Sequence, residues 1–201
     1  MTACLVLATL LASAADLPRL VQTPPGEVPY GAAVAGAVAL EATFSNTGSV
    51  TSVRAIKGLE PFTGPFTQAV HGWQAEPARA GGVAVASQLL VLGVFRPPML
   101  AYPAPPPPEK KDYGVAGRLP VPTHWIVPGY PPMALGNAAV AVEVTVGETG
   151  AVTEARVTAS TPGFDDAAVG AVRQWTFTPV LRDGKPVPSR LAVVFFFPAP
   201  H

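Results

Sequence analysis

Apolar residues alternate with polar or small residues along residues 140–146, in the second half of the chain. Every second residue there is valine, which is the period of a β-strand with one buried face. Residues 147–150 (GETG) form a short glycine-bearing loop suited to a hairpin, and residues 152–160 alternate again. The pattern therefore predicts two antiparallel strands joined by a tight turn.

A helix is predicted to follow this hairpin, from about Asp165 to Trp175. Its apolar residues recur at helical spacing, and Pro179 prevents the helix from continuing. Asp165 is the predicted N-cap, because its carboxylate can accept a hydrogen bond from an N–H group of the first turn. The residues that we expect in the core are Phe164, Val172, Trp175, Phe177 and Pro179.

A third strand is predicted at residues 191–197 (LAVVFFF), after a turn at residues 182–186. The predicted unit is thus β-β-α-β, with one helix over a small antiparallel sheet. The third strand is apolar on both faces, which a solvated edge strand should avoid. Core burial covers one face, and a partner strand, a dimer mate or a second repeat of this unit in the chain must cover the other.

The chain contains this unit twice. A shift of 102 positions places residues 29–98 on residues 131–200 without a gap, and about 24 of the 70 aligned pairs are identical. The identical pairs include glycine, arginine and tryptophan positions, so chance does not explain them. In the first copy, Trp73 is the expected core counterpart of Trp175, and Thr63 replaces Asp165.

A proline-rich segment separates the two copies and contains four consecutive prolines. Such a run favours an extended polyproline II spacer, so we expect the two units to sit apart and to have separate cores. The predicted fold class is α+β, with two tandem β-β-α-β units. The expected divisions are a signal peptide (1–15), a lead-in (16–28), the first copy (29–98), the linker (99–124) and the second copy (125–201).

The first 15 residues resemble a secretory signal, with an apolar run before an Ala-Ser-Ala cleavage pattern. The run is shorter than the roughly 20 residues that a membrane-spanning helix needs, so we expect no retained transmembrane helix. Cys4 is the only cysteine of the chain. The predicted mature protein is therefore exported without disulfide bonds.

Charge and residue spacing exclude several classes of function. Lysine plus arginine (13) balance aspartate plus glutamate (13), whereas nucleic-acid binding needs a concentrated basic surface. The three histidines, His71, His124 and His201, lack the spacing of metal ligands. No Ser-His-Asp order and no phosphate loop occurs. We expect no catalytic residues, no metal and no cofactor.

The second copy resembles the C-terminal domain of TonB-type energy transducers. The elements that carry the resemblance are Tyr130-Pro131, the strand AVAVEVTV with its turn GETG, Phe164-Asp165 at the start of the helix, the spacing of Trp175, Phe177 and Pro179, and residues 183–187 (DGKPV). Together they span most of about 70 residues. The first copy keeps the positions of Trp73 and Pro77 but has Ala75 where Phe177 stands.

The resemblance implies a non-catalytic protein of the Gram-negative periplasm that binds the TonB boxes of outer-membrane transporters. In that family the box adds a strand to the exposed edge of the sheet, and the last strand is the acceptor. For this chain the resemblance implies that the partner contacts Tyr130, Pro131, Ser189, Leu191, Val193, Phe195 and Phe197.

A second function stays open, in which the same sheet edges pair with each other or with a second copy of the chain to form an envelope scaffold. Last strands that are already paired, within the tandem or in a homodimer, would favour the scaffold. A free edge at residues 189–197 would favour peptide capture.

Overall fold

The computed structural model describes residues 17–26, 36–95 and 117–199. The predicted signal peptide and the four consecutive prolines lie outside the described residues. The elements are β1 (Arg19–Gln22), β2 (Gly36–Phe44), β3 (Val50–Lys57), α1 (Thr63–His71), β4 (Gln74–Glu76), β5 (Ala78–Ala80), β6 (Val83–Val85), β7 (Ser87–Phe95), β8 (Val121–His124), β9 (Ala138–Val146), β10 (Val152–Ala159), α2 (Asp165–Val172), β11 (Thr176–Thr178), β12 (Val180–Arg182), β13 (Lys185–Val187) and β14 (Ser189–Phe197).

The two copies share one six-stranded sheet with the strand order β10-β9-β14-β7-β2-β3. The two last strands, β7 and β14, pair in parallel at its centre, from Leu191 opposite Leu90 to Phe196 opposite Phe95. The expectation of two separate units is therefore wrong, although the α+β class is confirmed. Each last strand is apolar on both faces, so joining the two strands buries surface that a lone edge would expose to water.

The two helices cover opposite faces of this sheet. Because successive side chains of a strand point to opposite faces, alternate residues of β14 enter different cores. Leu191, Val193, Phe195 and Phe197 pack with α2, in what we call the α2-side core. Ala192, Val194 and Phe196 pack with α1 of the first copy, in the α1-side core. The other copy thus covers the second apolar face of residues 191–197.

Both cores mix residues of the two copies. In the α1-side core, the ring of Phe196 stacks on Phe95 with centroids 4.4 Å apart and meets Phe66 of α1 edge-on at 5.8 Å. The α2-side core contains Leu90, Leu92 and Val94 of β7 beside α2. Neither copy therefore has a complete core of its own.

The predicted core residues divide between these two cores. Phe164, Val172, Trp175 and Phe177 are buried in the α2-side core, and Trp73 is buried in the α1-side core. Pro179 is half-buried at the end of β11. The indole N–H of Trp175 donates to the Ile126 carbonyl at 2.9 Å, and that of Trp73 donates to the Pro24 carbonyl at the same distance.

Asp165 does not act as the N-cap that the sequence predicts. The helix begins at Asp165 itself, Phe164 occupies the N-cap position, and no side chain caps the first turn. The carboxylate reaches back instead, where Oδ1 accepts the Thr161 N–H at 3.0 Å. Thr63 repeats this in the first copy, since its Oγ1 accepts the Leu59 N–H at 2.8 Å.

The duplication extends upstream of the predicted repeat. Strand β1 pairs with β4, and β8, which lies 102 residues further on, pairs with β11 in the same manner. Residues that the sequence suggests as lead-in and linker thus form equivalent strands. β1 also contacts β10 in the hairpin of the second copy, and Arg118, just before β8, approaches Glu41 in the hairpin of the first copy.

Candidate functional site

The strand expected to accept a peptide lies in the interior of the sheet. β14 pairs with β9 on one side and with β7 on the other, so the prediction of an exposed edge is wrong. The reason is that β7, the equivalent strand of the first copy, occupies the position that an added strand would take. The buried acceptor residues are Ser189, Leu191, Val193, Phe195 and Phe197.

Tyr130 and Pro131 lie near the far end of β14, away from Ser189. The ring of Tyr130 meets Phe164 edge-on at 5.3 Å, and Phe164 in turn lies 5.1 Å from Phe197. The Tyr130 hydroxyl donates to the Gly136 carbonyl at 2.7 Å. These contacts anchor the segment before β9, and a partner contact at Tyr130 and Pro131 stays a prediction.

The outer strands of the sheet are β3 and β10, one from each copy. In residues 17–26, 36–95 and 117–199, no strand pairs with the outer side of either one. Both strands carry charged side chains and a register shift, features that protect sheet edges from unspecific pairing. The backbone groups available for strand addition therefore lie along the two edges of the sheet, formed by β3 and β10.

An open groove of about 390 Å³ lies beside the first half of β10. Its walls are residues 152–155 and Arg173, which follows α2. Because the register shifts between Val152 and Glu154, Val152 and Ala155 both pack on the α2-side core. Glu154 and Arg173 are exposed. The groove thus joins a free strand edge to two small apolar surfaces and one charge of each sign.

A buried glutamate that binds a partly or largely exposed arginine occurs once in each copy. Glu143, 5% exposed, accepts a bond from Arg156 Nη2 at 3.0 Å. The backbone of Leu20 in β1 joins this pair, because its N–H donates to Glu143 Oε2 at 2.5 Å and its carbonyl accepts from Arg156 Nη2 at 2.7 Å. The pair therefore fastens the start of the first copy onto the hairpin of the second.

Glu41 and Arg54 form the equivalent pair of the first copy. Arg118, which precedes β8 in the second copy, lies with Nη1 4.0 Å from Glu41 Oε1. The two carboxylates thus bind guanidinium and backbone groups that hold the copies together. The sequence signal for this pairing is the identity of the glutamate and of the arginine in both copies.

The described residues contain no group of three or more His, Cys, Asp or Glu residues placed to hold a metal ion. No described helix has the length and apolar character to cross a membrane.

The second copy matches a known protein family. Residues 128–197 match the model of the Gram-negative bacterial TonB protein C-terminal family, from the segment before β9 to the last residue of β14. The comparison with curated proteins found no match. The family match supports a TonB C-terminal domain in the second copy, and that domain is a non-catalytic, periplasmic part of transport energy transducers. It indicates involvement in TonB-dependent transport.

Proposed function

We propose that this protein is a periplasmic peptide-binding protein of TonB-dependent transport, and that it captures TonB-box-like segments of outer-membrane transporters by strand addition at β10. One observation carries the proposal. Within the residues that match the TonB family, β10 has an outer side that no described strand pairs with, and a groove runs beside it.

The chemistry of the groove suits an extended peptide. The backbone N–H and C=O groups of a strand edge supply affinity, while side-chain pockets supply selectivity. Val152 and Ala155 offer apolar contacts, and Glu154 and Arg173 favour peptides with charges of both signs. β1 lies towards the other end of β10, where the hydroxyls of Thr23 and Thr158 are 2.8 Å apart. Binding is therefore expected along residues 152–155.

Capture at β14 is the second route for the same function. It would require β7 to leave, which breaks the pairing from Leu191 to Phe196 and separates the stacked rings of Phe95 and Phe196. Contact between a partner and the β14 residues, with Tyr130 and Pro131 beside them, is proposed only for such an opened form.

A titration of the chain from Asp16 onward with TonB-box-like peptides, followed by amide NMR, tests the proposal. We expect saturable binding with shifts concentrated in residues 152–155. Peptides that are N-methylated at alternate residues keep their side chains but lose main-chain donors, so they should not bind. Shifts along β14 together with loss of exchange protection in β7 would indicate the second route. No saturable binding would contradict both routes.

A matched pair of variants tests whether the peptide binds at the groove of β10 or at the equivalent position of the first copy. Arg173 of the groove corresponds to His71 at the end of α1. We expect Arg173→Ala to weaken the binding of an acidic peptide by about threefold, because an exposed charge contributes less than about 1 kcal/mol. His71→Ala should leave the affinity unchanged. An equal effect of both variants would argue against the groove.

An envelope scaffold is the alternative function, and the pairing of β7 with β14 favours it. Because β7 and β14 pair with each other, the two edges of the sheet are β3 and β10. Pairing β3 of one molecule with β10 of the next would build an open-ended row of molecules. Light scattering across a concentration series tests this. Growing assemblies with protected β3 and β10 amides, and no peptide binding, would establish the scaffold.

A further inference from the structure

A cavity lies between the two copies, at the end of the sheet where β7 and β14 begin. Its volume is about 220 Å³. Equivalent residues of the two copies line it, so it lies where the two copies meet. Three such pairs are Pro18 with Pro120, Ser87 with Ser189, and Gln88 with Arg190. The cavity is remote from the groove of β10, with which it shares no lining residue.

The second copy gives this cavity its charge. Arg118, Arg182 and Arg190 line it, and none of its lining residues is an aspartate or a glutamate. The guanidinium of Arg190 is held in place, because Nη1 donates to the carbonyls of Leu17 at 3.3 Å and Pro18 at 3.4 Å. Arg118 also faces Glu41, with Nη1 4.0 Å from Oε1. Three guanidinium groups therefore reach the cavity, and backbone carbonyls hold that of Arg190 in place.

Two serine hydroxyls in the wall lack hydrogen-bond partners among the described residues. The Oγ atoms of Ser87 and Ser189 are fully buried and unbonded, and Ser189 as a whole is only 6% exposed. Buried hydroxyls are nearly always satisfied in folded proteins, because an unmet group costs stability. Both serines line the same cavity, so rotation of each hydroxyl towards the cavity would let it donate to an occupant there.

We propose that this cavity binds a phosphate-type oxyanion. A tetrahedral oxyanion offers several strong acceptors, which the guanidinium groups and serine hydroxyls of the lining residues can bind. Guanidinium groups bind phosphate through charge-assisted hydrogen bonds, and Ser87 and Ser189 would donate from opposite copies. The bound anion would link the two halves of the sheet. A free phosphate ion and the phosphate group of a larger molecule share this chemistry.

Calorimetric titration of the chain from Asp16 onward with inorganic phosphate tests the proposal. We expect one saturable site that weakens as the ionic strength rises, with NMR shifts at Ser87, Ser189 and Arg190. Phosphate should also raise the melting temperature, since a ligand of the folded state stabilises it. A soluble phosphate monoester distinguishes the sources. If only free phosphate binds, the cavity is closed to larger molecules, and if both bind, the cavity also admits the phosphate group of a larger molecule.

Arg182→Gln removes one positive charge from the wall, and we expect about tenfold weaker phosphate binding, as for the loss of one charge-assisted hydrogen bond. Arg79→Gln removes an exposed arginine, which bonds the Gly82 carbonyl and does not line the cavity, and should leave binding unchanged. The double variant Ser87→Ala/Ser189→Ala should bind phosphate more weakly while its melting temperature without phosphate stays equal or rises.

The proposal is overturned if the folded wild-type protein shows no saturable phosphate site. It is also overturned if Arg182→Gln, with an unchanged melting temperature, binds as tightly as Arg79→Gln. The result is independent of peptide capture, because Arg173→Ala should weaken peptide binding and leave phosphate binding intact. If the protein binds phosphate but no peptide, the phosphate site is supported and the proposed peptide capture is contradicted.

Discussion

At the scale of single residues, Gly150 shows why the duplicated turn keeps its glycine. It has a φ of +83°, and a Cβ added there would lie 2.0 Å from the Phe177 carbonyl oxygen. Gly48 is equivalent, with 1.7 Å to the Ala75 oxygen. Both turns thus bring the hairpin against the short strand after the helix, and the Phe177 N–H donates to the Gly150 carbonyl at 2.8 Å.

Gly150→Ala is therefore expected to lower the free energy of unfolding by about 3 kcal/mol, because strained φ and a backbone clash add. Urea unfolding measures the loss. The control is Gly170→Ala in α2, where an added Cβ meets nothing within 4 Å and helix propensity should add roughly 0.5–1 kcal/mol. Equal effects of the two variants would contradict the close approach.

The buried carboxylate of Glu143 and its partner Arg156 give a second prediction. Arg156→Ala leaves a buried carboxylate without its guanidinium, so we expect a loss of about 3 kcal/mol in urea unfolding. Arg54→Ala should cost less, because Glu41 keeps Arg118 within 4.0 Å. Replacing both Glu143 and Arg156 by leucine should restore only part of the stability, because the Leu20 N–H and C=O then lose their partners. Equal losses for Arg156→Ala and Arg54→Ala would contradict this assignment.

Alternation along β9 and β10 predicts which face Glu143 and Arg156 share, but their partners come from another part of the chain. The sequence assigns both residues to the polar face of a half-buried strand. In the structure that face lies under β1 of the other copy. A local pattern reports the period of an element, whereas contacts across more than 100 residues depend on how the copies dock.

At the scale of elements, the hairpin and helix of the second copy were predictable. The valine alternation at residues 140–146 lies in β9, and the helix predicted from about Asp165 begins at that residue, although it ends at Val172. The pairing of β14 with β7 was not predictable, because alternation cannot name a neighbour. The sequence did show that residues 191–197 needed a cover on both faces, and three alternatives stood open.

Val194→Asp tests which alternative holds in solution. In the six-stranded sheet Val194 is fully buried in the α1-side core, so a carboxylate there should cost more than about 3 kcal/mol or prevent folding. In a separate second unit the same side chain would face away from α2, and the cost would be small. Val193→Asp is the control, since Val193 faces α2 in either arrangement. Urea unfolding that ranks Val194→Asp as mild would contradict the shared sheet.

At the scale of the whole molecule, the duplication acts as a dimer built into one chain. The sequence revealed the two copies through their 102-residue offset, but it favoured separate units because four consecutive prolines stand between them. A proline run sets the stiffness of a linker, whereas the apolar surface on the last strands decides whether the copies dock. The candidate edges for strand addition are therefore the outer strands β3 and β10 and not β14.

This organisation predicts the behaviour of the second copy alone. A fragment of residues 117–201 would expose the pairing edge of β14 and the face that carries Ala192, Val194 and Phe196, all of which the first copy buries in the full chain. We expect the fragment to form a homodimer in which two β14 strands pair in parallel, because that arrangement restores the central pair of the sheet. Light scattering measures its mass. Phe196→Ser in the fragment should weaken the dimer, whereas the full chain should stay monomeric at the same concentration. A monomeric, stably folded wild-type fragment would contradict this prediction, because it would show that β14 tolerates a free edge.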